Sequence, residues 1–95
     1  MLQAVKKVEI IVTSLEVPAV LKIFKKNQVV NYTEIENVSG SGEHGFSGDD
    51  LITNTYLMVI CPESEMVDRL AIALKPLMKK MGGIFIVSDA QWIAH

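Results

Sequence analysis

The stretches of this sequence best suited to chemistry are two glycine-containing segments, and they suit binding rather than bond-making. Val38-Ser39-Gly40-Ser41-Gly42 follows a β-rich stretch, and Met81-Gly82-Gly83-Ile84-Phe85 joins a helical pattern to another β-rich stretch. Glycines let a backbone come close to a phosphate or a base and turn its amides outward as anion donors. The same spacings also serve ordinary turns and helix C-caps. His44, Asp49 and Asp50 are candidate ligands for a divalent ion, although adjacent acids at the end of a glycine-rich loop are also ordinary solvated turn residues. Cys61 is the one cysteine, which rules out an internal disulfide or a cysteine-rich zinc site. Its neighbours Val59, Ile60 and Pro62 point to an inert buried thiol. No serine, cysteine or lysine has a recognisable activating base, so the chain is not expected to be an enzyme.

The elements that must hold these segments come from a short chain. Its 95 residues fit one domain, residues 1–95, with 49% hydrophobic and 21% charged side chains. A monomer of this size buries only about 60 to 65% of the surface of its unfolded chain, so a composition this apolar suggests that neighbouring subunits cover part of it. The net charge of −2, with acids and bases interspersed, argues against nucleic acid or anionic lipid as a ligand. No run is long enough to insert into a membrane, and no signal core follows Met1; the expected location is the cytoplasm.

Residues 5–13 alternate as a half-buried strand, with Val8, Ile10 and Val12 on one side. Pro18 suits a first helical turn, and Val17, Val20, Leu21 and Phe24 form one apolar stripe in a helix over 17–27. Residues 30–38 are rich in β-branched types but alternate poorly, which predicts a strand with a bulge. Residues 39–50 hold four glycines and three serines and should form a mobile loop. Strand character resumes over 51–61. There Leu57 and Val59 on one side and Tyr56, Met58 and Ile60 on the other are all apolar, so both faces need cover. Two helices can cover only one face, and the other suggests an intersubunit interface, although a strand buried inside a monomer would read the same way.

After Pro62 a second helix is predicted. Acids Glu63, Glu65 and Asp68 lie near its start and Lys75, Lys79 and Lys80 near its end, as the helix dipole favours. Val67, Leu70, Ala71, Leu74, Met78 and Met81 form its core stripe. Pro76 should bend it or loosen its last turn, and Gly82-Gly83 should end it. Residues 84–87 read as a short strand and 89–95 as a brief tail carrying the one tryptophan. The order β-α-β-β-α-β is ferredoxin-like: an α+β fold with a four-stranded antiparallel sheet and two helices on one face.

Over residues 5–93 the chain resembles the PII-like signalling family. Val5-Lys6-Lys7-Val8-Glu9-Ile10-Ile11-Val12 is similar to that family's first strand, and Ile35 to Gly42 resembles the valine and Gly-x-Gly that open its T-loop, here a shorter segment at 39–50. Leu57 to Asp68 resembles its third strand and second helix, and Gly82 to Val87 its B-loop and last strand. The Gly-Ile-Phe-Ile-Val-Ser-Asp ending looks closest to the branch tied to bicarbonate uptake and carboxysomes.

The resemblance implies a non-enzymatic homotrimer that binds an adenine nucleotide in its intersubunit clefts and regulates a membrane transporter or enzyme through its loop. Carried over by position, Ile11 and Ile60 would lie beside the adenine. Gly40, Ser41 and Gly42 would form the T-loop base, Gly82, Gly83 and Ile84 the B-loop, and Glu43, His44 and Phe46 the part that meets a partner. Typical members have an arginine where this chain has Glu43 and a lysine where it has Gly83. Each charge-assisted phosphate contact contributes about 1.5 to 3 kcal/mol, so AMP or another weakly charged adenyl compound is expected in preference to ATP. The loop also lacks the tyrosine and glutamine used elsewhere in the family for modification and for magnesium with 2-oxoglutarate. Two alternatives stand beside this reading: a divalent-ion trimer similar to the CutA family, using His44, Asp49 and Asp50, or an adaptor with no ligand.

Overall fold

The computed structural model describes residues 1–40 and 53–95. Strand β1 spans Leu2–Thr13, a single 3-10 turn Ser14–Glu16 leads into helix α1, Val17–Lys26, and β2 spans Thr33–Val38. Strand β3 is Asn54–Cys61, helix α2 Ser64–Met81 and β4 Ile84–Ile93. The sheet order is β2-β3-β1-β4, antiparallel at every contact. This is the ferredoxin-like arrangement expected from the element order.

Both helices lie on one face, and the core forms where their apolar stripes meet the alternating inner residues of the central strands. Val8, Ile10 and Val12 of β1 and Leu57, Val59 and Cys61 of β3 are buried against Val17, Val20 and Phe24 of α1 and Val67, Leu70 and Leu74 of α2. Fully burying a side chain such as Leu57 or Leu70 contributes about 1.5 to 3 kcal/mol, which makes this layer the dominant stabilising term. The thiol of Cys61 lies in the same layer, and burial pushes its pKa up.

Several boundaries differ from the sequence reading. The bulge in β2 falls between Ile35 and Val38, with Asn37 at φ 59°, and the strand begins at Thr33 rather than residue 30. Gln28, at φ 60°, makes the turn after α1, and Val30 is exposed. Pro76 does not interrupt α2, which continues to Met81. Pro76 and Ile72 are both exposed, so the carbonyl that loses its donor lies on the solvated side of the helix. Met81, expected in the core stripe, is 42% exposed. The largest correction is at the C-terminal end: β4 runs ten residues, and Leu2 to Ile11 of β1 pair with Ile93 to Ile84. Residues 89–93 therefore belong to a strand and not to a tail.

Candidate functional site

The sheet face away from the helices carries most of the residues singled out above. Ile11 is paired with Ile84 on one side and Tyr56 on the other. Gly82 and Gly83, at φ 80° and 120°, turn the chain from α2 into β4 directly beneath Ile11. The Gly82 amide donates to the Met78 carbonyl at 2.8 Å, closing the helix. A Cβ on Gly83 would lie 2.9 Å from the Ile11 carbonyl oxygen and 2.9 Å from the Met78 sulfur. With this backbone, glycine is thus a steric requirement here. Ile11, Gly83 and Ile84 form one cluster.

Gly40 follows β2, and a Cβ built on it would meet nothing within 4 Å. Ser41, Gly42, Glu43, His44, Phe46, Asp49 and Asp50, and with them most of the expected loop at 39–50, lie outside the described residues. The C-terminal flank of that segment is anchored: the Ser14 amide donates to the Thr53 carbonyl at 2.8 Å, and the Ser14 hydroxyl lies 2.8 Å from those of Thr53 and Thr55.

Ile60 lies elsewhere on the same face. It pairs with Lys7, four residues along β1 from Ile11, a separation of about 13 Å at strand rise. It opens into a cleft of about 620 Å³ lined by Tyr32, Met58, Met66, Trp92 and His95, among others. The Trp92 and His95 rings are 5.4 Å apart, and the indole N–H donates to Gln3 Oε1 at 3.3 Å. Tyr32 is held edge-on to Phe24, with ring centroids 5.7 Å apart. The turn before it is fixed by Arg69, whose guanidinium donates to the Asn27 carbonyl at 3.2 Å. Such a cleft is suited to a planar ring, which it can stack against and bracket with apolar side chains. Sequence reasoning missed Tyr32, Trp92 and His95. The available signal was the sole tryptophan, placed on the same alternation as Ile84 and Ile86.

One protomer therefore does not bring Ile11 and Ile60 together. Among the described residues no group of three or more His, Cys, Asp or Glu side chains is arranged to hold a metal ion, and no helix is long and apolar enough to cross a membrane.

Comparison with solved structures finds the same architecture. CPII from Thiomonas intermedia K12 bound to ADP, AMP and acetate is 26% identical, with a TM-score of 0.89 over 99% of this chain and 93% of that one. CPII bound to ADP and bicarbonate is 28% identical, with a TM-score of 0.85 over 97% of this chain and 91% of that one. A putative PII-like signaling protein from Thermus thermophilus shares the fold at 22% identity, with a TM-score of 0.78 over 97% and 92% of the two chains. A search of the curated proteins finds no match. The family described as Nitrogen regulatory protein P-II matches residues 5–94. With that match spanning nearly the whole chain, and the βαββαβ sheet superposing on CPII over nearly its full length, the protein belongs to the P-II family.

Proposed function

We propose that this protein is a non-enzymatic regulator that assembles as a homotrimer, binds an adenine nucleotide between subunits, and acts on a transporter or enzyme through the segment containing Glu43, His44 and Phe46. The observation that carries the reading is the division of the site. Ile11 and Ile84 lie at one place on the outer sheet face, with Gly83 at its edge against the Ile11 carbonyl, and Ile60 with the aromatic cleft lies at another about 13 Å away. A neighbouring copy laid against that face supplies the missing half to each. The face has apolar surface to bury in doing so: Ile35, Ile84 and Ile86 are 53%, 37% and 50% exposed. The ADP and AMP in CPII support the choice of ligand.

The cleft half offers a ring platform and the glycine half offers backbone amides. Because the Gly82 amide is engaged by Met78, phosphate contacts fall to Gly40, Gly42 and Gly83. With Glu43 next to Gly42 in sequence and no lysine at 83, the site favours one phosphate over three.

Native mass spectrometry is expected to give three chains of 10.5 kDa with retained nucleotide. Calorimetric titration is expected to show AMP binding at least as tightly as ATP, and Glu43→Arg is expected to improve ATP selectively. Trp92, the sole tryptophan, should report ring binding by a change in fluorescence. A monomeric mass at micromolar concentration, or ATP binding ten times tighter than AMP, overturns the corresponding part of the reading.

A further inference from the structure

The outer sheet face is mostly apolar and carries one charged pair near its middle. Lys7 and Glu9 both point from that face of β1, with Lys7 Nζ and Glu9 Oε1 3.8 Å apart and side-chain exposures of 38% and 30%. The Tyr56 hydroxyl donates to the other carboxylate oxygen, Glu9 Oε2, at 2.7 Å. That bond is the main cause pushing the Tyr56 pKa up to about 12, so the donor keeps its proton and Glu9 is held in place. Met58 and Ile86 flank Glu9, while Ile60 and Ser88 flank Lys7. Among the described residues, no other charged side chain occupies this face of β1, β3 or β4.

The charges are poorly matched within one copy. At 3.8 Å the ammonium is beyond hydrogen-bond distance of Glu9 Oε1. Covering the face would strip water from both groups; Glu9 would keep its bond from Tyr56, but Lys7 would be left a desolvated ion without a hydrogen-bonded partner, which is strongly destabilising. A cation and an anion side by side on a face that meets its own copies are self-complementary. Under a three-fold rotation Lys7 of each copy can meet Glu9 of the next, whereas isoleucines alone would let the faces slide. Resting on the trimeric reading above, we propose that Lys7 and Glu9 pair between copies, closing a ring of three contacts that fixes the register of assembly. Tyr56 acts as a positioning residue for the carboxylate.

Charge reversal tests this directly. Lys7→Glu alone and Glu9→Lys alone place like charges at every contact and should each raise the concentration needed for trimer formation at least about tenfold. Mixing the two purified variants, one of them labelled with ¹⁵N, should restore trimers that contain both chains, because most contacts then join opposite charges. Such rescue excludes misfolding and separates a contact between copies from one within a copy. If reversal unfolds the chain, Lys7→Met and Glu9→Gln examine the same contact and should each weaken assembly in the same direction. Variants that assemble as the wild type does, or that fail to reassemble on mixing, overturn the pairing while leaving the trimer intact. A wild type that is itself monomeric removes the trimeric reading and this inference together.

Discussion

Replacing Gly83 with alanine is expected to be among the most damaging single-methyl changes available in this protein. At φ 120° the backbone occupies a region that side chains rarely adopt, which costs about 1 to 3 kcal/mol. The new methyl would also lie 2.9 Å from the Ile11 carbonyl oxygen, 2.9 Å from the Met78 sulfur and 3.2 Å from a Val12 methyl. The thioether can swing away, but the carbonyl belongs to a central strand paired on both sides and cannot move without its neighbours. Overpacking of this kind adds about 1 to 3 kcal/mol. For a domain of this length each kcal/mol shifts the melting temperature by about 4 to 8 °C, so the sum predicts a fall of at least about 8 °C. Gly40→Ala is the internal control, since its Cβ meets nothing within 4 Å; stability should change by less than about 1 kcal/mol. Thermal melts at matched chain concentration give the comparison, because assembly makes the melting temperature concentration-dependent. A Gly83→Ala protein melting within a few degrees of wild type would show that the turn from α2 to β4 relaxes freely and that sterics do not dictate glycine there.

Two further outcomes follow from the perturbed side chains. Tyr56 should ionise late, near pH 12, and Tyr56→Phe should remove that step from an absorbance titration. Since the folded value lies above the unfolded value near 10, the associated stabilisation is complete below pH 10 and fades as the pH rises toward 12. Cys61 should resist a soluble thiol reagent at pH 8 in the native protein and react within the dead time once unfolded, because it is fully buried and burial raises its pKa. Fast native labelling would mean that the layer between the sheet and α2 opens readily.

Much of the fold was legible because it rests on local periodicity. The stripe Val17, Val20, Phe24 and the stripe Val67, Leu70, Leu74 each mark one helical face, and the alternation of Val8, Ile10 and Val12 marks the buried side of β1. The glycine pair after Met81 announced both a helix end and a turn with positive φ. The two-sided apolar character of residues 56 to 60 was also present in the sequence, along with the implication that one face of the sheet looks for cover.

Other features depended on which strands meet. The length of β4 is set by its partner, since Ser88 to Ile93 are strand only because Leu2 to Lys7 lie alongside; their own composition alternates too weakly to say so. The separation of Ile60 from Ile11 comes from register, and register is a long-range quantity. Gly83 reads from sequence as a C-cap, yet its contact with the Ile11 carbonyl arises only when a strand 72 residues earlier passes beneath it. Likewise the Tyr56 hydroxyl finds Glu9 across 47 residues. The elements, their order and their buried faces were written in the chain, because those depend on neighbours a few residues away. How the candidate site is divided and which polar groups meet emerged only on folding, because those contacts join residues that pattern and propensity treat as independent.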